Sequence, residues 1–203
     1  MPMKQFFFFG DSITLGVGDQ NFTGWPAVLA KMLAEQGSIA QPDTIYNLGA
    51  RKNSSSDIAT RWRPEFTRRH IEGTEACFIF CFGTVDMAAP QGRINVPVGE
   101  SAANARTILS EAQQSGRVLL VSPPPVSDSA HSARLETLGK AYAEICAELG
   151  VPFADLFHAV NDPAFLQDLA DGVHPGAEGN RRIAAALLHS GALKILLGQP
   201  INA

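Results

Sequence analysis

The chain has 203 residues, enough for one domain, read here as residues 1–203, to bury a full core without metal or disulfide support. Its net charge of −4 and the isolated placing of the pairs Arg68-Arg69 and Arg181-Arg182 argue against a nucleic-acid partner. No apolar run approaches the roughly 18 residues of a membrane span.

The run Gln5 to Phe9 predicts a buried strand; it is shorter than the roughly seven residues of a secretory core and has no small-residue cleavage site behind it. Behind Thr23, the spacing of Trp25, Val28, Leu29, Met32 and Leu33 predicts a helix with Trp25 in the core, near enough to Ser12 in sequence to reach a pocket. Thr44 to Leu48 is the second strand. Ile58, Trp62 and Phe66 follow at helical spacing, with Pro64 expected to kink or split that helix. Ala76 to Phe82 is the third strand; Cys77 and Cys81 share one face of it about 13 Å apart, too far to pair, and the odd cysteine count fits a reducing compartment, the cytoplasm. Asp86 to Val98, rich in Pro, Gly and Asn, is the longest irregular stretch and reads as a functional loop. Ala105, Ile108, Leu109 and Ala112 form a helix behind Ser101, Arg117 to Ser122 the fourth strand, and Leu135 to Leu149 a helix closed by Gly150. Val151 to Asp155 is the fifth strand, and a last helix starts near Gly176 with an interruption at Gly191.

Strands alternating with helices predict an α/β fold around a five-stranded parallel sheet. In such sheets ligands bind beyond the carboxyl ends of the strands. Ser12 follows the first strand, Gly49 the second, Gly83 to Asp86 the third and Pro123 to Pro125 the fourth, while Asp171 and His174 lie beyond the fifth. A serine hydroxyl needs an imidazole to take its proton, and the imidazole needs a carboxylate to hold its tautomer. Ser12 read alone is equally the N-cap of a helix, and His174 a surface residue ahead of Pro175; the pairing of Ser12 with a distal Asp-x-x-His favours the chemical reading. Gly49 and Gly83 also fit ordinary strand-to-loop punctuation. His70, His131, His158 and His189 lack ligand spacing, so no metal is expected, and without a GxGxxG or a Walker lysine no nucleotide cofactor is either. Asp86 reads as a turn or helix-cap carboxylate, and Asp155 and Asp162 as solvated or capping residues. Nothing in the residues speaks to oligomeric state.

Gly10-Asp11-Ser12-Ile13-Thr14-Leu15-Gly16, Asn47-Leu48-Gly49, Gly83-Thr84-Val85-Asp86 and Asp171-Gly172-Val173-His174-Pro175, in that order at successive strand ends, resemble the SGNH hydrolases, also called GDSL lipases and esterases. The resemblance covers nearly the whole chain. It implies a flavodoxin-like three-layer α/β/α sandwich, no cofactor, and cleavage of a small carboxylic ester through an acyl-enzyme. Carried over by position, Ser12 is the nucleophile, His174 the base and Asp171 its orienting carboxylate; the amides of Ser12 and Gly49 are oxyanion donors, and Asp11, Thr84 and Val85 lie at the substrate.

Two departures stand out. The family's third block is GxND, whose Asn is a further oxyanion donor, and Val85 takes that place here. Thr84, Arg51, Asn53 or Asn95 fills the gap, or the enzyme works slowly with two donors, or the domain is catalytically impaired and retained for binding a ligand or partner. In the second block, where a Gly often follows three residues after the first, the chain has Arg51-Lys52-Asn53, whose cations would favour an anionic substrate group.

Overall fold

The computed structural model describes residues 2–200. Its strands are β1 (Lys4–Gly10), β2 (Thr44–Gly49), β3 (Glu75–Cys81), β4 (Arg117–Val121) and β5 (Phe153–Ala154). Its helices are α1 (Ser12–Leu15), α2 (Gly24–Glu35), α3 (Ser55–Arg69), α4 (Thr84–Met87), α5 (Val98–Ala112), α6 (Ser129–Leu149), α7 (Leu156–Val160), α8 (Pro163–Gln167), α9 (Ala177–Leu188) and α10 (Gly191–Leu197). All strand pairs are parallel, in the order β2-β1-β3-β4-β5, and helices cover both faces, giving the expected flavodoxin-like three-layer sandwich.

The four consecutive phenylalanines follow from that layering. Neighbouring side chains on a strand point to opposite faces, so Phe7 and Phe9 enter the core under α3, α5 and α6, while Phe6 and Phe8 enter the one under α2 and α9. Each buried ring is worth about 1.5–3 kcal/mol, and a central strand covered on both sides therefore carries an unbroken apolar run. Phe7 and Phe9 stack on Phe78 and Phe80 of β3 at 5.7 and 5.5 Å, and Trp62 of α3 meets both β3 rings edge-on at 5.8 and 6.1 Å. Cys77, Cys81 and Cys146 are buried free thiols.

The structure departs from the sequence expectation at several boundaries. α3 runs unbroken through Pro64. A proline inside a helix costs about 3 kcal/mol, but Ile58, Trp62 and Phe66 are all buried against the sheet, and a capping box between Ser54 and Asp57 fixes the first turn. β5 pairs through only two residues, because Pro152 has no N–H to donate and Asp155 turns away to cap α7 by accepting the His158 amide. α7 and α8 were not foreseen as helices, although Asp155 and Asp162 do act as their caps. α5 begins at Val98, so Ser101 lies inside it and bonds Asp86 and Tyr142 at 3.0 and 2.7 Å. Among the described residues no helix is long and apolar enough to cross a membrane.

The chain leaves β1 toward β2 and leaves β3 toward β4, on opposite sides, so a crevice opens where the carboxyl ends of β1 and β3 lie side by side. Ser12 and Thr84 open the helices that leave these two ends.

Candidate active site

The turn from β1 into α1 is tight because Gly10 lacks a side chain: a Cβ there would fall 2.1 Å from Thr14 Oγ1 and 2.3 Å from the Cys81 carbonyl. Asp11 is the N-cap, and its carboxylate accepts the Ile13 N–H at 2.9 Å. Capping thus falls to Asp11 rather than Ser12. Ser12, 8% exposed, directs its Oγ to His174 Nε2 at 2.8 Å across 162 residues of sequence.

His174 is held by its own turn. One oxygen of Asp171 accepts the N–H groups of Val173 and His174 at 3.0 and 2.8 Å, and the other meets His174 Nδ1 at 2.6 Å. An ionised carboxylate only accepts, so Nδ1 carries the proton and the Nε2 lone pair faces the Ser12 hydroxyl. Desolvation pulls the Asp171 carboxyl upward, but its bonds from the His174 ring and the two amides outweigh this and bring it down to about 2. The segment is anchored from two sides. Ser127 N–H donates to the Gly172 carbonyl at 2.8 Å, and Asn180 donates to the carbonyls of Pro175 and Gly176 while its oxygen accepts the Trp25 N–H. Asn180 therefore ties the start of α2 to the segment behind His174. Trp25 itself is fully buried against Phe8 and stays away from the site.

Asp11 faces the interior, not a substrate. It is 2% exposed, and its second oxygen has no partner among the described residues. Burial, with Asp86 nearby, pushes its carboxyl up to about 6 from an ordinary 3.8. Because the folded value is the higher one, the stability Asp11 contributes is fully present below about 3.8 and is lost as pH rises through about 6. On this account the protein loses on the order of 2 kcal/mol between those limits. Asp11→Asn keeps an oxygen for the Ile13 amide and should flatten that part of the profile. Urea midpoints at mildly acidic and neutral pH test this, and an equal drop in both proteins would contradict it.

The second block is built differently from the expectation. Gly49 packs beneath α1, where a Cβ would lie 2.2 Å from the Leu15 nitrogen. Its amide, expected to face a developing oxyanion, donates to Asn47 Oδ1 at 3.0 Å, and Asn47 in turn donates to the Thr14 carbonyl at 3.0 Å. Asn47 is a clamp between β2 and α1. Three residues on, Lys52 adopts a left-handed backbone with φ of 63°, and among the described residues its N–H has no acceptor. The turn is fixed by the Gly10 carbonyl, which accepts from the Ala50 amide at 3.1 Å and from Arg61 Nη2 at 3.0 Å. Arg61 also holds Asn53 through Nε at 2.5 Å, which leaves Asn53 outside the site.

A cavity of about 440 Å³ opens over Ser12 and His174. Val85, Ala88 and Val173 form its apolar wall, Thr84, Asn95 and His131 its polar one, and Arg51 and Lys52 its rim. Val85 takes its place in the wall as the block order indicates, and Asn95 reaches its carbonyl at 2.8 Å. His131 was missed by ligand spacing. Asp128 caps α6 through the His131 amide, and the first turn thereby carries the ring to the Thr84 carbonyl at 2.9 Å. Burial lowers the pKa of that imidazole. The signal available in the sequence was Asp128 three residues ahead of His131 at a helix start. Asp86, read as a cap, is buried and accepts the Ser55 N–H at 2.9 Å at the start of α3.

The model of the GDSL-like lipase/acylhydrolase family matches residues 8–182. The chain belongs to that family. A bovine (Bos taurus) relative named isoamyl acetate-hydrolyzing esterase 1 homolog is 28% identical over 88% of this chain and 78% of its own length. Among solved structures, a lipase/acylhydrolase from Enterococcus faecalis superposes with a TM-score of 0.77 at 24% identity, covering 99% of this chain and all of its own. An acetylxylan esterase from Geobacillus stearothermophilus gives 0.74 at 20% identity, covering 97% and 94%. At these identities the structures speak for the GDSL-family fold, while the family match and the bovine relative support ester hydrolysis as the class of activity.

Proposed function

We propose that this GDSL-family member is a serine esterase that cleaves a small carboxylic ester through an acyl-enzyme on Ser12, with His174 as base and Asp171 as orienting carboxylate. The observation that carries the reading is the continuous chain Ser12 Oγ, His174 Nε2, His174 Nδ1, Asp171 Oδ2 with links of 2.8 and 2.6 Å. As Ser12 Oγ bonds to the acyl carbon, its proton passes to His174 Nε2 and the carbonyl oxygen takes up negative charge. The imidazolium then protonates the departing alcohol as the ester C–O bond breaks, and water activated by the same nitrogen releases the acid. The oxyanion falls to the Ser12 amide, which opens α1 with no intrahelical acceptor, and to the free amide of Lys52 in place of the engaged one of Gly49. The cavity size, and relatives whose names refer to acetate and acetylxylan, support a short acyl group.

Asp171 is 59% exposed on its side chain, against 15% for His174. Water therefore screens the ion pair, and Asp171 acts mainly by fixing the ring tautomer.

One observation favours a second reading, an impaired site kept for ligand binding: the apolar side chain of Val85 stands in the cavity wall where the family pattern has an amide donor. Fluorophosphonate labelling separates the two, since it needs an activated serine rather than a matching substrate. The expected result is one adduct, on Ser12, that disappears in His174→Ala. A folded protein that takes up no label would sink the esterase reading.

A further inference from the structure

Resting on the esterase reading, we infer that the ester taken by this site carries a carboxylate, recognised by Arg51 and Lys52. The cavity over Ser12 has these two cations in its lining and no Asp or Glu, in a chain whose net charge is −4. Among the described residues seven of the eleven arginines meet a carboxylate, and Arg51 is one of the four that do not. Among the described residues no carboxylate oxygen lies within 4.0 Å of Arg51 or Lys52. Two unmatched positive charges at the mouth of a concave, mostly apolar site attract an anion and strengthen its hold as water is displaced.

The backbone supplies an independent observation. Lys52 is left-handed at φ 63°, a region that costs a residue with a β-carbon about 1 kcal/mol or more and glycine almost nothing. What lysine adds there over glycine is its side chain. Strain kept at a cavity wall, where the unstrained residue is the smallest one available, points to use of that side chain. The backbone that carries the two cations is fixed. Their turn is pinned to the Gly10 carbonyl by Ala50 and Arg61, and Gly10 lies two residues before Ser12. A guanidinium offers two parallel N–H groups that match a carboxylate, and the ammonium adds a second charge beside it. Across the cavity, Val85, Ala88 and Val173 suit a short hydrocarbon segment. The substrate so described is small and amphiphilic, with an ester at Ser12, a few carbons against the apolar wall and a carboxylate at the Arg51–Lys52 turn.

Two matched pairs test this, one with the charge on the acyl side and one with it on the alcohol side. They are 4-nitrophenyl hemiglutarate against 4-nitrophenyl valerate, and 4-acetoxybenzoate against its methyl ester. The readout is the ratio of kcat/KM, anionic over neutral, corrected by the alkaline hydrolysis rates of the same compounds. The expected ratio is about 10 in at least one pair at low salt, as for a charge-assisted hydrogen bond, and it shrinks at high salt. Arg51→Gln should bring it near unity, and Arg51→Glu below unity. Lys52→Gly, which keeps the backbone amide and removes the strain, should also lower it. Ratios at or below unity in both pairs, or a preference unmoved by Arg51→Gln, overturn the inference while turnover of the neutral esters leaves the esterase reading standing. Failure to cleave any of the compounds, together with no fluorophosphonate label, removes both.

Discussion

Ser12→Ala is expected to lower turnover of 4-nitrophenyl acetate by a factor on the order of 10⁴ to 10⁶ while leaving the fold in place. The two halves of that expectation have separate causes. Rate is lost because the acyl group has no hydroxyl to receive it, and His174 Nε2 has only water to activate. The fold survives because Ser12 carries little structural duty. Its hydroxyl bonds only His174 among the described residues, and the cap of α1 belongs to Asp11. Losing one such partly buried hydrogen bond costs about 1 kcal/mol. Thermal unfolding and steady-state rates on the same preparation check both halves. A variant that keeps a tenth of the wild-type rate would exclude Ser12 as nucleophile, whatever its distance to His174.

Val85→Asn should raise kcat by about 10² to 10³, the inverse of what removing one oxyanion donor costs, about 2.7–4 kcal/mol. Val85 already lines the cavity from the first turn of α4, so an amide of similar volume there faces the space above Ser12 without repacking the core. The structure narrows the residues able to make up for the missing donor. Asn53 is held outside by Arg61, and Asn95 already donates to the Val85 carbonyl. Arg51 reaches the same cavity, but its guanidinium is engaged when it holds a substrate carboxylate. A gain confined to kcat, with KM little changed, marks stabilisation that exists only in the transition state. A rate within threefold of wild type, in a protein that labels with fluorophosphonate, would mean that another group already completes the oxyanion hole. A large gain would mean that the native enzyme works with backbone donors alone.

Why some features were legible and others were not follows from the range of the interactions that set them. The helical spacing of Ile58, Trp62 and Phe66 marked α3, but its continuity through Pro64 depends on how much those side chains bury against β1 and β3, which spacing does not measure. Likewise the block pattern marked Gly49 as an oxyanion donor, but what requires a glycine there is lack of room for a side chain. Its neighbour is the Leu15 nitrogen rather than an oxyanion, because α1 packs onto the end of β2. His131 has no ligand spacing to mark it, and its place in the cavity needs α6 to lie against the Thr84 carbonyl, a contact across 47 residues.

What the amino-acid order determined alone is local: most strand and helix segments, the Asp171–His174 turn and the absence of an amide at position 85. Each depends on residues within a few positions of one another, where backbone sterics and short hydrogen bonds decide. Tertiary structure alone decided which amides are free, which cations stand unmatched over the cavity, and that Ser12 meets His174. Those depend on the sheet order, which brings separate strand ends to one rim, and no local rule encodes a 2.8 Å contact between groups 162 residues apart.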